Sequence, residues 1–400
     1  MTPSHTMLTV PIYQYSSHSS LYSFPSPPSF ETYTTMSSDN DFSSVPVLDY
    51  SLALSPSTKP QFLTQLRHAL INVGFLYLSN HPISGIPALL DYIPKLFALP
   101  QEEKDKVAMV NSPHFLGYSR LGNELTKGKV DYREQWDFAT RHETRWRDER
   151  DPDYYRVWGP CQWPNPKLIP GFRETLEGYL DEVQELSLKF SSLVAEALGL
   201  GPNGLDRFYD KPELMQHRAK IVKYPVPPDG QGEGQGVGPH YDAGFLTFLL
   251  QASEHRGLQV QNLAGDWIDA PPIPGTFVVN IGKALEFVTK GIARATSHRV
   301  LSPRGSTPRY SVPFFQNISL TIKLAEVDLE FPPEILKLRD ERGTVAATDS
   351  VNFGEFNREP SGRVNLIGRV KSHPDVGERH YPALFKELFP NGFEGKGSAY

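Results

Sequence analysis

Three side chains in the second half of the chain have the types and the order of a mononuclear metal site. His240 and Asp242 stand two residues apart, and His298 follows much later in the chain. In an extended segment, His240 and Asp242 project to one face, so both can reach one metal from a single strand edge. Two imidazoles and a carboxylate, without a thiolate, suit Fe(II) better than a structural zinc site. The pattern therefore predicts a non-haem iron site.

A basic residue and a hydroxyl follow the second histidine. Arg309 and Ser311 are also two residues apart and would share a face of a strand. A guanidinium binds a carboxylate through two parallel hydrogen bonds, and the hydroxyl adds a third. We therefore expect this pair to hold the carboxylate of a co-substrate, with a structural ion pair as the alternative for Arg309. Tyr224 could reach the same anion from a neighbouring strand, or it could simply be a wall aromatic.

The His-x-Asp pattern is weak on its own, because a second copy stands at His373-Pro374-Asp375. With 12 histidines in the chain, about half of one such pattern is expected by chance. The second copy lies in a polar stretch without strand periodicity and has no basic partner downstream. We interpret it as a coincidence. His217, another histidine, is expected to face the barrel surface.

Composition limits the function classes. The net charge is −6 and no block of like charges occurs, so neither nucleic acid, an anionic membrane nor a protein partner is indicated. No apolar run is long enough for a transmembrane helix. Cys161 is the only cysteine, which excludes an internal disulfide and suits a reducing compartment. A cytoplasmic protein that acts on a small molecule is predicted.

The first half of the chain mixes helices with short strands. Residues 1–45 are rich in Ser, Thr, Tyr and Pro and have no Lys or Arg, so we interpret them as a disordered extension. Residues 46–200 should form a helical and strand region beside the site. Its strand patterns lie at 45–50 and 74–78, and its helical spacing at 60–72, 84–98 and 170–198. The interval 111–168 lacks periodicity and is predicted to be a long loop over the core.

A run of short strands surrounds the predicted ligands. Strand patterns lie at 220–225, 244–251, 257–261, 275–281 and 309–316. Many short strands separated by turns favour a sandwich or barrel of the jelly-roll kind. Residues 201–325 are therefore predicted to hold the site. Residues 326–400, with helices near 333–340 and 381–389, should pack on this core.

These segments resemble the isopenicillin N synthase-like branch of the 2-oxoglutarate- and Fe(II)-dependent dioxygenases. The resemblance covers about Val45 to Leu320. It is carried by VPVLDY, GFLYLSNHPI, HYDAGFLTFLLQ, GLQVQNLAGDWIDAPPIPGTFVVNIG, and ATSHRV followed by RYSVPFF. It implies a mainly β fold with flanking helices around a distorted double-stranded β-helix, a jelly-roll core. Residues 114–165 are loosely similar to microbial members, including bacterial ethylene-forming enzyme.

The resemblance also implies roles for the residues singled out above. The iron ligands would be His240, Asp242 and His298. The C5 carboxylate of 2-oxoglutarate would be held by Arg309 and Ser311, and Tyr224 stands where the family often has a co-substrate tyrosine. Apolar residues expected to wall the metal are Phe245, Phe314 and Phe315.

The activity implied is the oxidative decarboxylation of 2-oxoglutarate coupled to hydroxylation, desaturation or ring closure of a small organic substrate, as in specialised metabolism. Fe(II), 2-oxoglutarate and O2 would be required, with ascorbate as a candidate reductant. The alternative is a 2-oxoglutarate-independent Fe(II) oxidase of the isopenicillin N synthase type, in which Arg309 and Ser311 hold a substrate carboxylate. A non-catalytic sensor that has lost iron is a third interpretation, against which the intact ligand set argues.

Three positions depart from the family pattern. Val222 replaces an asparagine common in plant members, Tyr241 replaces a frequent threonine, and Lys283 stands where an acidic residue is frequent. Val222 removes one expected contact to the co-substrate. None of the three changes a predicted iron ligand.

Overall fold

The computed structural model describes residues 42–126, 128–228, 234–343 and 354–393. The predicted extension of residues 1–45 therefore lies, up to residue 41, outside the described part. The strands are β1 Val47–Asp49, β2 Phe75–Ser79, β3 Gly117–Ser119, β4 Leu125–Thr126, β5 Lys129–Val130, β6 Glu134–Ala139, β7 Arg218–Tyr224, β8 Gln235–His240, β9 Leu246–Gln251, β10 Leu258–Gln261, β11 Trp267–Asp269, β12 Phe277–Ile281, β13 His298–Leu301 and β14 Arg309–Phe315. The helices are α1 Lys59–His68, α2 Ile86–Phe97, α3 Gln101–Asp105, α4 Phe172–Ala197, α5 Lys283–Val288, α6 Pro333–Arg342, α7 Ser361–Ser372, α8 Pro374–His380 and α9 Pro382–Leu388.

Two sheets face each other and form the β core. The larger has eight strands in the order β1-β2-β12-β9-β14-β7-β6-β3, and the smaller has four in the order β11-β10-β13-β8. Neighbouring strands are antiparallel except β1 and β2. Apolar residues of both sheets, including Phe75, Val260 and Val278, pack between them. The mainly β fold with flanking helices is confirmed.

Helix α4 covers the outer face of the larger sheet. Its buried residues recur every three or four positions, the spacing of an amphipathic helix that packs on a core. Phe190 is fully buried and packs edge-to-face on Phe248 of β9, with ring centroids 5.7 Å apart. Burial of such a side chain contributes about 1.5–3 kcal/mol. None of the described helices has the length and apolar character needed to cross a membrane.

The interval 111–168 is more ordered than predicted. It contributes β3 and β6 to the larger sheet, and every residue of β6 is buried. The sequence does not predict β6 as a strand, because several of its buried residues are polar. Glu134, for example, lies 2.7 Å from Lys104 Nζ and 3.2 Å from Lys223 Nζ, so its charge is paired inside the protein. The prediction of a long loop was therefore wrong for this part.

His217 and the C-terminal segment also differ from expectation. His217 does not face the surface: it is 1% exposed, and its Nδ1 accepts a hydrogen bond from Asn317 N at 3.0 Å. The C-terminal helices predicted near 333–340 and 381–389 exist as α6 and α9, while α7 and α8 were not predicted. Their apolar residues pack against the 109–158 segment.

The register of the larger sheet aligns one row of residues across four strands. Ser311 of β14 stands opposite Gln251 of β9 on one side and Val222 of β7 on the other. Val222 in turn stands opposite Gln135 of β6. Directly opposite residues in antiparallel strands share a face, so this row lies on the side that looks toward the smaller sheet. That inner face is the floor of the site.

Candidate active site

The three predicted metal ligands meet at the edge of the smaller sheet. β8 ends at His240 and β13 begins at His298, and these two residues stand opposite each other. The Nε2 atoms of both histidines lie 3.9 Å from Asp242 Oδ1. One ligand atom from each residue lies within 4.8 Å of the others. Within the described ranges no other group of three such residues is this close.

Hydrogen bonds fix which nitrogen of each histidine is free. Nδ1 of His240 donates to Gly238 O at 2.8 Å, and Nδ1 of His298 donates to Thr296 O at 3.2 Å. Each ring therefore directs its Nε2, the nitrogen not engaged by a backbone carbonyl, to the centre of the site. Burial, together with the neighbouring His298, lowers the pKa of His240 to about 3. A neutral imidazole is the form that binds a metal.

Asp242 is held in the same way. Its Oδ2 accepts hydrogen bonds from Thr247 Oγ1 at 2.5 Å and from Asn280 Nδ2 at 2.8 Å, which leaves Oδ1 for a metal. Burial opposes ionisation, but the two histidines and these two donors outweigh it and lower the pKa of Asp242. Thr247 and Asn280 were not predicted. They stand opposite each other on β9 and β12, a register that spacing in the sequence does not reveal.

The loop after Asp242 is clamped by the start of α5. Lys283 N donates to Asp242 O at 2.8 Å, and Ala284 N donates to Ala243 O at 3.1 Å. Gly282 permits this close approach, because a Cβ there would lie 2.1 Å from Gly244 O. The Lys283 side chain pairs with Glu286 and lies 4.2 Å from the Tyr241 ring centre, so this departure leaves the ligands untouched.

Arg309 forms a second buried centre on the inner face of the larger sheet. It is 1% exposed and lies over the ring of Tyr224, 5.0 Å from its centroid. Its Nη2 donates to Gln251 Oε1 at 3.1 Å, while Nε and Nη1 have no hydrogen-bond partner among the described residues. No carboxylate of the described residues forms an ion pair with Arg309, so the structural ion pair considered for it is not found among them. A buried guanidinium with two free donors suits an anion.

One cavity joins the two centres. It is lined by the three predicted ligands and by Arg309, Ser311 and Tyr224, which the structure therefore brings together. Apolar side chains line much of the remainder, among them Phe75, Leu249, Val300 and Phe315. Of the three predicted wall aromatics only Phe315 lines the cavity, since Phe245 and Phe314 pack in the main core.

This donor set fits a mononuclear Fe(II) site with a dicarboxylate co-substrate. Two imidazole Nε2 atoms and one carboxylate oxygen are the ligand types of a non-haem Fe(II) site, and these three residues would hold the metal. The free donors of Arg309 lie on the same cavity and match the far carboxylate of 2-oxoglutarate.

Comparisons with known proteins agree with this chemistry. The family described as "non-haem dioxygenase in morphine synthesis N-terminal" matches residues 45–166, and the "2OG-Fe(II) oxygenase superfamily" matches residues 216–318. The chain is 48% identical over 361 residues to the 2-oxoglutarate-dependent dioxygenase frbJ of Dothideomycetidae sp. (strain 11243), covering 86% of this chain and 94% of that protein.

Two further relatives extend the comparison. Homoarginine-6-hydroxylase 2-ODD-C23 of Glycine max is 34% identical over 308 residues, covering 72% of this chain and 89% of that protein. The crystal structure of a full-length Neurospora crassa protein in complex with alpha-KG has a TM-score of 0.62 at 25% identity, covering 82% of this chain and 96% of that one.

These similarities support a 2-oxoglutarate-dependent enzyme and not the oxidase alternative. They also argue against a non-catalytic sensor, because the relatives are named as enzymes. The chain belongs to the 2-oxoglutarate- and Fe(II)-dependent oxygenases: it is a dioxygenase that uses Fe(II), 2-oxoglutarate and O2 and acts on a small molecule.

Proposed function

We propose that His240, Asp242 and His298 hold the Fe(II) of this dioxygenase. We further propose that Arg309 and Ser311 bind the C5 carboxylate of 2-oxoglutarate beside Tyr224. The observation that supports this most strongly is the buried Arg309 guanidinium, whose two unpaired nitrogens share a cavity with the three ligands. An unpaired buried donor costs about 1–3 kcal/mol, a cost that a bound carboxylate removes.

When bound, Fe(II) with 2-oxoglutarate and O2 supplies the oxidising chemistry, which yields succinate, CO2 and an oxidised substrate. The chain contributes positioning. Thr247 and Asn280 fix the Asp242 carboxylate, and backbone carbonyls fix both imidazole rings. Arg309 orients the co-substrate through its two free donors. Apolar residues such as Phe315 keep water from the reacting centre.

The substrate oxidised, here called the prime substrate, is proposed to be an amino acid, with hydroxylation as the outcome. Support comes from relatives named homoarginine-6-hydroxylases, which are 34% identical in Glycine max and 32% identical in Oryza sativa subsp. japonica. Desaturation or ring closure would use the same site. No nucleic-acid or protein partner is needed for this activity.

Organisation and location follow as proposals from the same sequence features. We infer that residues 201–325 carry the site, residues 46–200 form the surrounding helical and strand region, and residues 326–400 pack on the core. The single Cys161 supports a cytoplasmic location. Fractionation of cells that express the full chain tests the location.

Anaerobic titration with 2-oxoglutarate tests the assignment of the site. The Fe(II)-loaded protein should develop a visible charge-transfer band that saturates with 2-oxoglutarate. Arg309→Ala should need roughly a hundredfold more co-substrate, because two charge-assisted hydrogen bonds are lost. Arg299→Ala is the matched control: Arg299 also lies on a β-strand, but it bonds Gln259 and stacks on Trp267. Bound iron without a charge-transfer band would contradict the proposed roles. Equal affinities of the Arg309→Ala and Arg299→Ala proteins for 2-oxoglutarate would contradict them too.

A further inference from the structure

A cluster of buried charged side chains without a role in the site proposed above borders the same cavity. Arg133 and Lys220 line the cavity directly, and their side chains are only 10% and 13% exposed. Glu124 lies between them, with Oε2 3.0 Å from Arg133 Nη2 and 2.7 Å from Lys220 Nζ. Burying charges is costly, so a buried group of this kind indicates a function at the cavity.

The cluster is distinct from the predicted co-substrate anchor. Lys220 and Tyr224 lie four residues apart on the same face of β7, and Tyr224 stands opposite Arg309. With a rise of about 3.3 Å per residue, Lys220 is roughly 13 Å along the strand from that row. Arg309 therefore lies opposite one position of β7, and Lys220 lies farther along that strand, where Lys220 and Arg133 have the carboxylate partner Glu124 and Arg133 also pairs with Asp131.

Within the cluster, one buried group lacks a hydrogen-bond acceptor and another lacks a hydrogen-bond donor. Among the described residues, Arg133 Nε is a buried donor without an acceptor, and Gln135 Oε1 is a buried acceptor without a donor. Asp137 accepts one bond from Gln135 Nε2 at 2.8 Å, but Lys220 Nζ, the nearest cation, lies 3.7 Å from its other oxygen. Burial raises the pKa of Asp137, and Lys220 offsets this only in part. Buried polar groups without partners suit a ligand that supplies the missing donor or acceptor.

The sheet register places these groups side by side. Gln135 stands opposite Val222, and Asp137 stands opposite Lys220, so the acceptors of β6 and the cation of β7 share the inner face. Lys220, which lines the cavity, thus has the acceptors of Gln135 and Asp137 beside it, behind the cavity wall.

We propose that the prime substrate is an α-amino acid whose carboxylate binds Arg133 and Lys220 and whose N–H groups face Gln135 and Asp137. This inference rests on the proposed function. The carboxylate of an amino acid supplies an acceptor for Arg133, and its N–H groups supply donors for Gln135 and Asp137. Its positive and negative charges suit a site that contains both cations and carboxylates. Glu124 is a positioning residue: it holds the two cations at the cavity wall.

Ligand pairs that differ only in the carboxylate test this proposal without turnover. Protein loaded anaerobically with Fe(II) and 2-oxoglutarate is titrated with L-homoarginine, L-arginine and L-lysine, and in parallel with agmatine and cadaverine, the decarboxylated forms of arginine and lysine. At least one amino acid should shift the charge-transfer band saturably, and its decarboxylated form should bind at least about tenfold more weakly. No shift with any amino acid, or equal binding of both forms, would overturn the proposal.

Variants on β7 identify the residues responsible. Lys220→Gln should weaken amino-acid binding roughly tenfold to hundredfold and leave the 2-oxoglutarate affinity unchanged. Lys223→Gln is the matched control, because Lys223 lies on the same strand but on the other face, where it pairs with Glu134 at 3.2 Å. Arg133→Gln should act like Lys220→Gln. Should a neutral variant fail to fold, Lys220→Arg keeps the charge, moves the donors and should still weaken amino-acid binding.

Titration with 2-oxoglutarate shows whether the proposed function fails or only this inference about the prime substrate. If the wild type shows no charge-transfer band, the proposed function fails. If the band forms but Lys220→Gln and Arg133→Gln lower the affinities for 2-oxoglutarate and the amino acid equally, the pair serves the co-substrate. In that case this inference alone is overturned.

Discussion

The chain contains the pattern His-x-Asp twice, in two structural settings. His240 ends β8 and Asp242 follows it, with Asp242 Oδ1 3.9 Å from His240 Nε2. His373 instead stands at the junction of α7 and α8, where Asp375 Oδ1 accepts a hydrogen bond from Val376 N at 2.9 Å. The side chains of His240 and Asp242 meet at one point. Those of His373 and Asp375 do not, because His373 lies between two helices and Asp375 lies in the first turn of α8.

Backbone geometry explains the difference. Along an extended segment, residues two apart project to the same side. Pro374 begins a helix, in which residues two apart point about 200° away from each other around the axis. His373 is consequently buried beside Glu124, 3.6 Å from its Oε1, and does not form a site with Asp375. The motif becomes a ligand pair only where a strand presents it and a third ligand faces it.

The largest effect expected from this comparison concerns iron binding. His240→Ala should lose Fe(II) and the 2-oxoglutarate band, while His373→Gln should keep one iron per chain. Loss of a ligand should exceed the roughly tenfold to hundredfold cost of losing a group that orients one. Anaerobic equilibrium dialysis with Fe(II) measures both proteins. Retention of iron by His240→Ala, or its loss from a folded His373→Gln protein, would contradict the contrast drawn here.

A smaller effect is expected from the groups that hold Asp242. Thr247→Val removes the donor at 2.5 Å from Asp242 Oδ2 and should weaken Fe(II) binding by roughly tenfold to hundredfold. Thr247→Ser keeps a hydroxyl and should restore most of the affinity. The same dialysis measures this pair. Equal affinities for valine and serine at this position would show that the hydroxyl does not orient the carboxylate.

The smallest effect concerns the second histidine and appears only in acid. Burial lowers the pKa of His373 from its ordinary value of 6.5 to about 3. Between pH 6.5 and about 3, His373 is protonated in the unfolded chain but neutral in the folded chain. The free energy of unfolding therefore decreases as the pH falls through this range. His373→Gln, which cannot titrate, should lose less stability than the wild type between neutral pH and pH values below 6.5. Urea unfolding at a series of pH values measures the difference, and parallel curves would exclude His373 as a source.

The strands around the site were predictable because they are short, largely apolar segments separated by turns. The patterns at 244–251, 275–281 and 309–316 correspond to β9, β12 and β14, each with small shifts at the ends. The predicted ligand set and the Arg309 pair also meet at one cavity. Their assignment to iron and co-substrate stays a prediction until the titrations are made.

Other parts escaped prediction because they depend on register and on distant partners. β6 reads as polar, yet Glu134, Gln135 and Asp137 are all buried, with partners from α3, β3 and β7. Thr247 and Asn280 converge on Asp242 only because β9 and β12 pair in one register. A single sequence contains neither the pairing nor its register, so such groups become visible only in the folded chain.

The strand order of the larger sheet has a consequence for how this kind of enzyme diverges. β14, which carries Arg309 and Ser311, lies between β9 and β7 in the interior of the sheet, whereas β6 has only β3 beyond it. Replacements close to a sheet edge disturb fewer neighbours than replacements at its centre. With the roles proposed above, changes at Gln135 and Asp137 can adapt the enzyme to a new metabolite, while Arg309 and Ser311 of β14 keep the shared co-substrate. Laboratory diversification of this enzyme has its natural starting point on β6.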